Sequence, residues 1–412
     1  MLDSSRDSLE KYLARIAERD EKIKAFVWHE PDQVRAQYDR LPVNSKNLPL
    51  FGIPVAVKDI IDTVDMPTEY GSKAFAGHRP KADAAVVARL KTAGAIIMGK
   101  TVTTEFAHTH AGPTVNPHNF AHSPGGSSSG SSAAVAAGMV PLAFGSQTGG
   151  STIRPSSFCG IVGFKPTFGL IPLTGVNPFA VTLDTIGIHA KEVADAAVMY
   201  SVLRGQTMPP IQQSYDLKIG WFPGPLAERA DPEMQQALKL ARSTLLKRTG
   251  IDFVNLELPT KDFLDLTEGN NVIAAYEGAQ YHRYVYARGP ELLGPATRAM
   301  IEKGMAIPEA EYKAHVEHLK RCRVKFAQTL ESVDAILTYS ATGQAPLLEQ
   351  GTGDSVFNRA WTSLGTPCIN LPFAMSSAGL PLGVQLVSAV GRDFRLLQIA
   401  SQLEKMFPRQ PI

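Results

Sequence analysis

Cysteine is scarce in this 412-residue chain, which has three: Cys159, Cys322 and Cys368. So small and odd a number excludes a disulfide framework and points to a reducing compartment. A charge excess of one sign is also missing, since 41 basic residues stand against 39 acidic ones. That balance gives no electrostatic case for nucleic acid or an anionic membrane surface. Long hydrophobic runs are absent too. The longest, Ala133 to Phe144, is interrupted by Gly138 and Pro141 and is too short to span a bilayer. The N-terminal MLDSSRDSLEKYLARIAERD is charged and amphipathic, without the apolar core of a signal peptide. These absences leave the expectation of a cytoplasmic protein, with no membrane and no nucleic-acid partner. Its length suffices to bury a large core without a disulfide or metal staple.

The periodicities present are those of alternating strands and helices. Leu9, Leu13 and Ile16 make one face of an N-terminal helix. The run GIPVAV (Gly52 to Val57) predicts a strand ending at Lys58. Asp83 is placed to cap a helix through Leu90, with Gly94 at its end and a strand Ala95 to Met98 behind it. Val140 to Phe144 predicts another strand. Asp231-Pro232 opens a helix whose face is Met234, Leu238, Ala241 and Leu245, ended by Gly250. Tyr312, Val316, Leu319, Phe326 and Leu330 mark a long helix, Ala335 to Leu337 and Leu382 to Val387 late strands, and Leu396, Ala400, Leu403 and Phe407 a closing helix. The alternation predicts an α/β fold with a mixed, largely parallel central sheet flanked by helices. Functional residues then belong at the carboxyl ends of strands, where Lys58 and Ser151 fall.

Two Ser/Gly-rich segments stand out. SPGGSSSGSS (Ser123 to Ser132) has a linker's composition, yet it runs into the helix-forming Ala133-Ala134-Val135-Ala136-Ala137. A Gly/Ser turn opening a buried helix presents N–H groups and hydroxyls at a helix N-terminus. The second, GSQTGGSTIRPSSFCG (Gly145 to Gly160), places Gly149-Gly150 beside Ser151. Consecutive N–H groups next to a serine are the raw material of an oxyanion hole. It is neither a phosphate loop, lacking Gly-Lys-Ser/Thr, nor a G-x-S-x-G nucleophile elbow.

Together, Lys58 in VAVKD, GGSSSGS at Gly125 to Ser131 and QTGGSTIRP at Gln147 to Pro155 resemble the amidase signature family. FCGIVGFKPTFG, LDTIG and the late GLPLGVQLV extend the likeness over most of the chain, most weakly between about 200 and 330. The resemblance implies a single domain over 1–412, with 200–330 a more variable, helical, substrate-side region. It also implies Ser151 as nucleophile, Ser127 as a bridging serine after a cis peptide, and Lys58 as base. The N–H groups of Thr148, Gly149, Gly150 and Ser151 would form the oxyanion hole, with Arg154, Gly125 and Gly126 contacting substrate. Metals and other cofactors are not required. The family usually reads GGS-I-R-x-P, whereas here Arg154 lies three positions after Ser151, and Gln147 replaces the acidic residue common before TGGS. Both features resemble a malonamidase-like branch acting on small half-amides, in which Arg154 clamps a carboxylate; an ion pair or backbone contact holding the loop is the alternative.

The expected activity is hydrolysis of a small-molecule amide through an acyl-enzyme, with carbamate hydrolysis on the same residues as the nearest alternative. An amidotransferase subunit supplying ammonia to a partner, a non-catalytic binding module and a metallohydrolase built on His108, His110, His118 and His122 are further readings. A homodimer is compatible with all of these. Cys159 reads as a buried structural thiol, and His315 and His318 as solvated.

Overall fold

A computed structural model describes residues 2–42, 46–209 and 216–407. The chain begins with helix α1 (Arg6–Ile23), strand β1 (Phe26–Trp28) and helix α2 (Pro31–Asp39). It then alternates through β2 (Pro54–Lys58), α3 (Ala85–Thr92), β3 (Ile96–Thr101), α4 (Ser129–Ala136), β4 (Leu142–Gln147), α5 (Ile153–Cys159), β5 (Val162–Lys165), β6 (Thr185–Ala190), α6 (Val193–Arg204), β7 (Leu217–Trp221), α7 (Pro232–Leu246) and β8 (Ile251–Asn255). A helical block, α8 (Thr260–Arg288), α9 (Pro295–Ala306) and α10 (Glu309–Glu331), follows. The chain closes with β9 (Ala335–Tyr339), α11 (Val356–Leu364), β10 (Cys368–Met375), β11 (Pro381–Val387) and α12 (Asp393–Glu404).

The sequence signals act as their physics dictates. Ser5 caps α1 by accepting from Ser8 N at 3.1 Å, and Leu9, Leu13 and Ile16 bury its apolar face. Pro232 begins α7, which buries Met234, Leu238, Ala241 and Leu245. Asp83 does not cap α3, whose preceding residue is Ala84. Its carboxylate instead accepts from Val64 N at 2.9 Å and pairs with Lys91, a stronger, charge-assisted use of the group.

Among the described residues the strands form one sheet of 11, ordered β1-β3-β2-β4-β6-β5-β10-β11-β9-β7-β8. The fold is α/β and the sheet mixed, as expected, but it is not largely parallel. Parallel pairing is confined to β2–β3, β2–β4, β7–β8 and β7–β9. From β4 through β6, β5, β10 and β11 to β9 every pairing is antiparallel. Antiparallel neighbours need no crossover helix, and β10 and β11 are joined by a short turn at Ser376 to Leu380. No described helix is long and apolar enough to cross a membrane.

The parallel neighbours β2 and β4 position the candidate site residues. Their register pairs Val55 with Leu142 and Ala56 with Ala143, so Lys58 and the residues after Gln147 emerge at the same edge of the sheet.

Candidate active site

Lys58 ends β2 fully buried. Its Nζ lies 2.7 Å from Ser127 Oγ, 2.8 Å from Ser146 Oγ and 3.0 Å from Ser128 Oγ. Burial drives its pKa well below the usual lysine value, opposed by the field of Asp184. A charged ammonium would serve all three hydroxyls with its own N–H bonds. The neutral amine has two N–H groups and a lone pair, so one serine must donate to it. Buried His189 lies behind this cluster, with Nδ1 2.9 Å from Ser156 Oγ. Burial, and then the charge of Lys58, push its pKa down to about 3.

The serine run is no linker. Ser127, Ser128, Ser129, Ser131 and Ser132 are all buried at the start of α4. Ser131 Oγ donates to Phe144 O at 2.7 Å, and Ser132 Oγ to Ser129 O at 3.0 Å. The Gly126–Ser127 peptide is cis, and Ser127 O accepts from Thr104 N at 3.1 Å. Gly125 has φ +82°, and a Cβ there would lie 2.9 Å from Pro155 Cα; one on Gly126 would lie 2.7 Å from Thr352 Cγ2. Gly125 therefore serves close packing of this turn on α5, and Gly126 close packing on Thr352.

Gln147 organises the other loop. Its Oε1 accepts from Thr152 N at 2.9 Å and Ile153 N at 3.0 Å, satisfying donors at the N-terminus of α5. Its Nε2 donates to Thr362 Oγ1 at 2.9 Å, and that hydroxyl lies 2.7 Å from Gly149 O. Thr148 O accepts from Asn270 Nδ2 at 3.1 Å, while Thr148 Oγ1 donates to Asp184 at 2.5 Å. The loop carbonyls are thus turned into the protein. Among the described residues, the N–H groups of Gly149, Gly150 and Ser151 have no acceptor, and the half-buried Ser151 hydroxyl makes no hydrogen bond. A Cβ on Gly150 would meet Asn358 Oδ1 at 2.3 Å, which excludes a larger residue there.

The structure therefore brings Lys58 and Ser127 into direct contact, and it ties Ser151's loop to Ser127's through Arg154. Arg154 is buried, with Nη2 donating to Gly126 O at 2.7 Å. Among the described residues its buried Nε has no partner. Burial, then Arg359, draw its pKa down to about 10 against the pull of Asp354. Arg359 donates to Asp354 Oδ1 at 2.6 Å and to Ser355 Oγ at 3.1 Å; Arg229 reaches Asp354 Oδ2 at 3.0 Å. One carboxylate thus stands among three guanidinium groups.

Sequence reasoning missed Ser128 and Ser146 as partners of Lys58, and also Asp184, Asn270, Thr362 and Arg359. Asp184 carried a signal, since it lies within LDTIG. Its carboxylate accepts from Phe179 N at 2.8 Å and Ala180 N at 3.0 Å, and burial pushes its pKa up to about 7. The histidines do not converge: His118 donates to Cys159 O at 3.0 Å, His122 to Ala345 O at 2.7 Å, and His108 packs on Phe179. Cys159 is buried, its thiol pushed up to about 12 by desolvation. An apolar cavity of about 440 Å³ near Phe168, Val324 and Val390 lies away from all these groups.

A buried lysine amine among serine hydroxyls, beside a glycine-rich loop with free N–H groups, is an arrangement chemically able to activate a hydroxyl and to hold an oxyanion. The chain belongs to the amidase family: the family model described as Amidase matches residues 7–397. It is 33% identical to a subunit of the glutamyl-tRNA(Gln) amidotransferase from Geobacter metallireducens, over 98% of this chain and 94% of that protein. Its structure is similar to the peptide amidase of Stenotrophomonas maltophilia (TM-score 0.83, 28% identity, 98% and 94% of the two chains). It is also similar to a chain from a vestigial protein complex that bears on the origins of an s-triazine catabolic enzyme (TM-score 0.87, 30% identity, 98% and 95%).

Proposed function

We propose that this chain is an amidase that cleaves the C–N bond of a small amide through an acyl-enzyme on Ser151. The observation that carries the reading is the Lys58–Ser127 contact of 2.7 Å, made by an amine whose pKa burial lowers well below the usual lysine value. Ser151 Oγ attacks the carbonyl carbon while its proton passes by way of Ser127 Oγ to Lys58 Nζ. The oxyanion forms against the N–H groups of Gly149, Gly150 and Ser151, with Thr148 at the loop's entry; each such donor contributes about 3–4 kcal/mol to barrier lowering. As the C–N bond breaks, the proton returns through Ser127 to the departing amine. Water then attacks the ester, and the same relay removes its proton.

For the substrate we favour a half-amide with a carboxylate. Asp354 is bonded to both Arg359 and Arg229, and Arg154 Nε is unpartnered. Net positive charge beside the loop suits an anionic acyl group. The 200–330 region would supply the wall facing the variable part of the substrate, with Asn270 of α8 on the catalytic loop. The test is amine release from malonamate-like half-amides, neutral aryl amides and aryl carbamates. Half-amides should be preferred, and Arg359→Ala should lower their kcat/KM by about 10–100-fold, the worth of a hydrogen bond to a charged group. Neutral amides should change little. Arg154→Ala should do the same, plus a general loss from its lost hold on Gly126. Preference for neutral aryl substrates, with Arg359→Ala affecting all alike, would remove the carboxylate reading.

A second reading, that of an amidotransferase component, is favoured by the 33% identity to such a protein. It predicts that the isolated chain turns over amides only when partner chains are added, whereas a free-standing amidase works alone.

A further inference from the structure

We propose that Asp262, His318 and Cys322 form a binding site for a zinc-like divalent cation, outside the catalytic centre, that pins α8 to α10. His318 and Cys322 are four residues apart on α10 and so project from one face, a turn apart. Asp262 meets them from the first turn of α8. His318 Nε2 lies 3.4 Å from Cys322 Sγ and 3.9 Å from Asp262 Oδ1, and one donor atom from each residue lies within 4.8 Å of the others. A tetrahedral zinc ion, with bonds of about 2.3 Å to sulfur and about 2.0–2.2 Å to nitrogen and oxygen, holds its donors about 3.4–3.6 Å apart. Shifts of about 1 Å, within reach of small side-chain rotations, close the triangle.

The donor set is one imidazole, one thiolate and one carboxylate, which suits a borderline-soft cation and not magnesium or calcium. Cys322 is 1% exposed, whereas the His318 and Asp262 side chains are 17% and 21% exposed. The sulfur is sheltered while the ion has access from solvent, and water can take the fourth position. His318 is therefore not simply solvated. Lys325 Nζ sits 2.6 Å from Asp262 Oδ2, the oxygen facing away from the site, and holds the carboxylate with Oδ1 toward His318. Hydrogen bonds of this kind to metal-bound carboxylates are usual. The link to the active site is mechanical. Eight residues along α8, about 12 Å of helix, Asn270 donates to Thr148 O at 3.1 Å. The ion would stiffen the helix that braces the catalytic loop without entering the chemistry.

The experiment is titration of the full chain with zinc(II) by calorimetry and with cobalt(II) by absorption. One zinc ion should bind per chain, and the melting temperature should rise with zinc concentration. Cobalt should produce a thiolate-to-metal band. Cys322→Ser should abolish that band, and His318→Gln should weaken zinc binding at least about 10-fold. Both variants should keep the wild-type circular dichroism and the metal-free amide turnover. Zinc binding that both variants leave unchanged, or cobalt binding without a thiolate band, would overturn the site. It would leave an Asp262–Lys325 ion pair between the helices, with His318 beside it. If Cys322→Ser does not fold, His318→Gln, altered at a partly exposed side chain, still decides between the two.

Discussion

Ser151→Ala is expected to lower kcat for amide release by about 10⁴–10⁶-fold, the range found when a serine nucleophile is removed from such a relay. Stability should stay within about 0.5 kcal/mol of wild type, as for substitutions that remove no buried contact. The two halves belong together. The Ser151 hydroxyl is half-buried and makes no hydrogen bond among the described residues, so its loss leaves nothing unpaired. Ser127 differs, because it is 1% exposed and bonded to Lys58, so Ser127→Ala confounds chemistry with packing. Residual turnover in Ser151→Ala near the wild-type rate, read by amine release alongside thermal unfolding, would transfer the nucleophile's role to another group.

Lys58→Met should reduce kcat by about 10²–10⁴-fold, the usual contribution of a general base. Its signature is in the pH dependence. Wild-type kcat/KM should rise as Lys58 loses its proton and level off well below the pH at which a free lysine titrates, because burial lowers its pKa. Stability carries the same sign. Between the lowered folded pKa and the unfolded value near 10.5, the unfolded chain binds more protons at this residue than the folded one. Wild-type stability therefore increases with pH across that window relative to Lys58→Met, by at most about 1.4 kcal/mol per pH unit. Denaturant unfolding of both proteins at several pH values measures the difference directly. A flat difference would mean that Lys58 is protonated in the folded state and is no base.

How far the sequence discloses this molecule depends on whether the signal is local. The helix at Asp231-Pro232 is legible because proline at its first turn and an unbroken apolar stripe act within the element. Strands β2 and β4 are legible as apolar runs closed by Lys58 and by the glycine-rich loop. The 29-residue α8 is not, since its buried positions include Asn270, Glu277 and His282 and no continuous apolar face survives. Those polar residues are buried because they bond across the fold: Asn270 with Thr148 O, Glu277 with Thr182 N at 3.1 Å and His282 with Pro178 O at 3.0 Å. The antiparallel centre of the sheet is equally hidden. A strand's residues record its burial on two faces but not the direction of its neighbours, and β6 enters between β4 and β5 from later in the chain.

The same distinction runs through the site. The resemblance picked out Lys58, Ser127 and Ser151, and two of these meet. It did not distinguish Ser128 and Ser146 from other serines, because only the parallel pairing of β2 and β4 and the packing of α4 bring them to Lys58 Nζ. Gln147 reads in sequence as a missing acid. In the fold its amide does what a carboxylate alone cannot, accepting at the start of α5 and donating to Thr362.

The most direct measurement is mass spectrometry of the protein stopped during turnover of an activated aryl ester or carbamate, followed by peptide mapping. An acyl adduct on Ser151 that is lost in Ser151→Ala, and that accumulates in Lys58→Met if deacylation slows more than acylation, is the predicted result. An adduct on any other residue, or turnover with no covalent species even in rapidly quenched samples, would contradict an acyl-enzyme at this site.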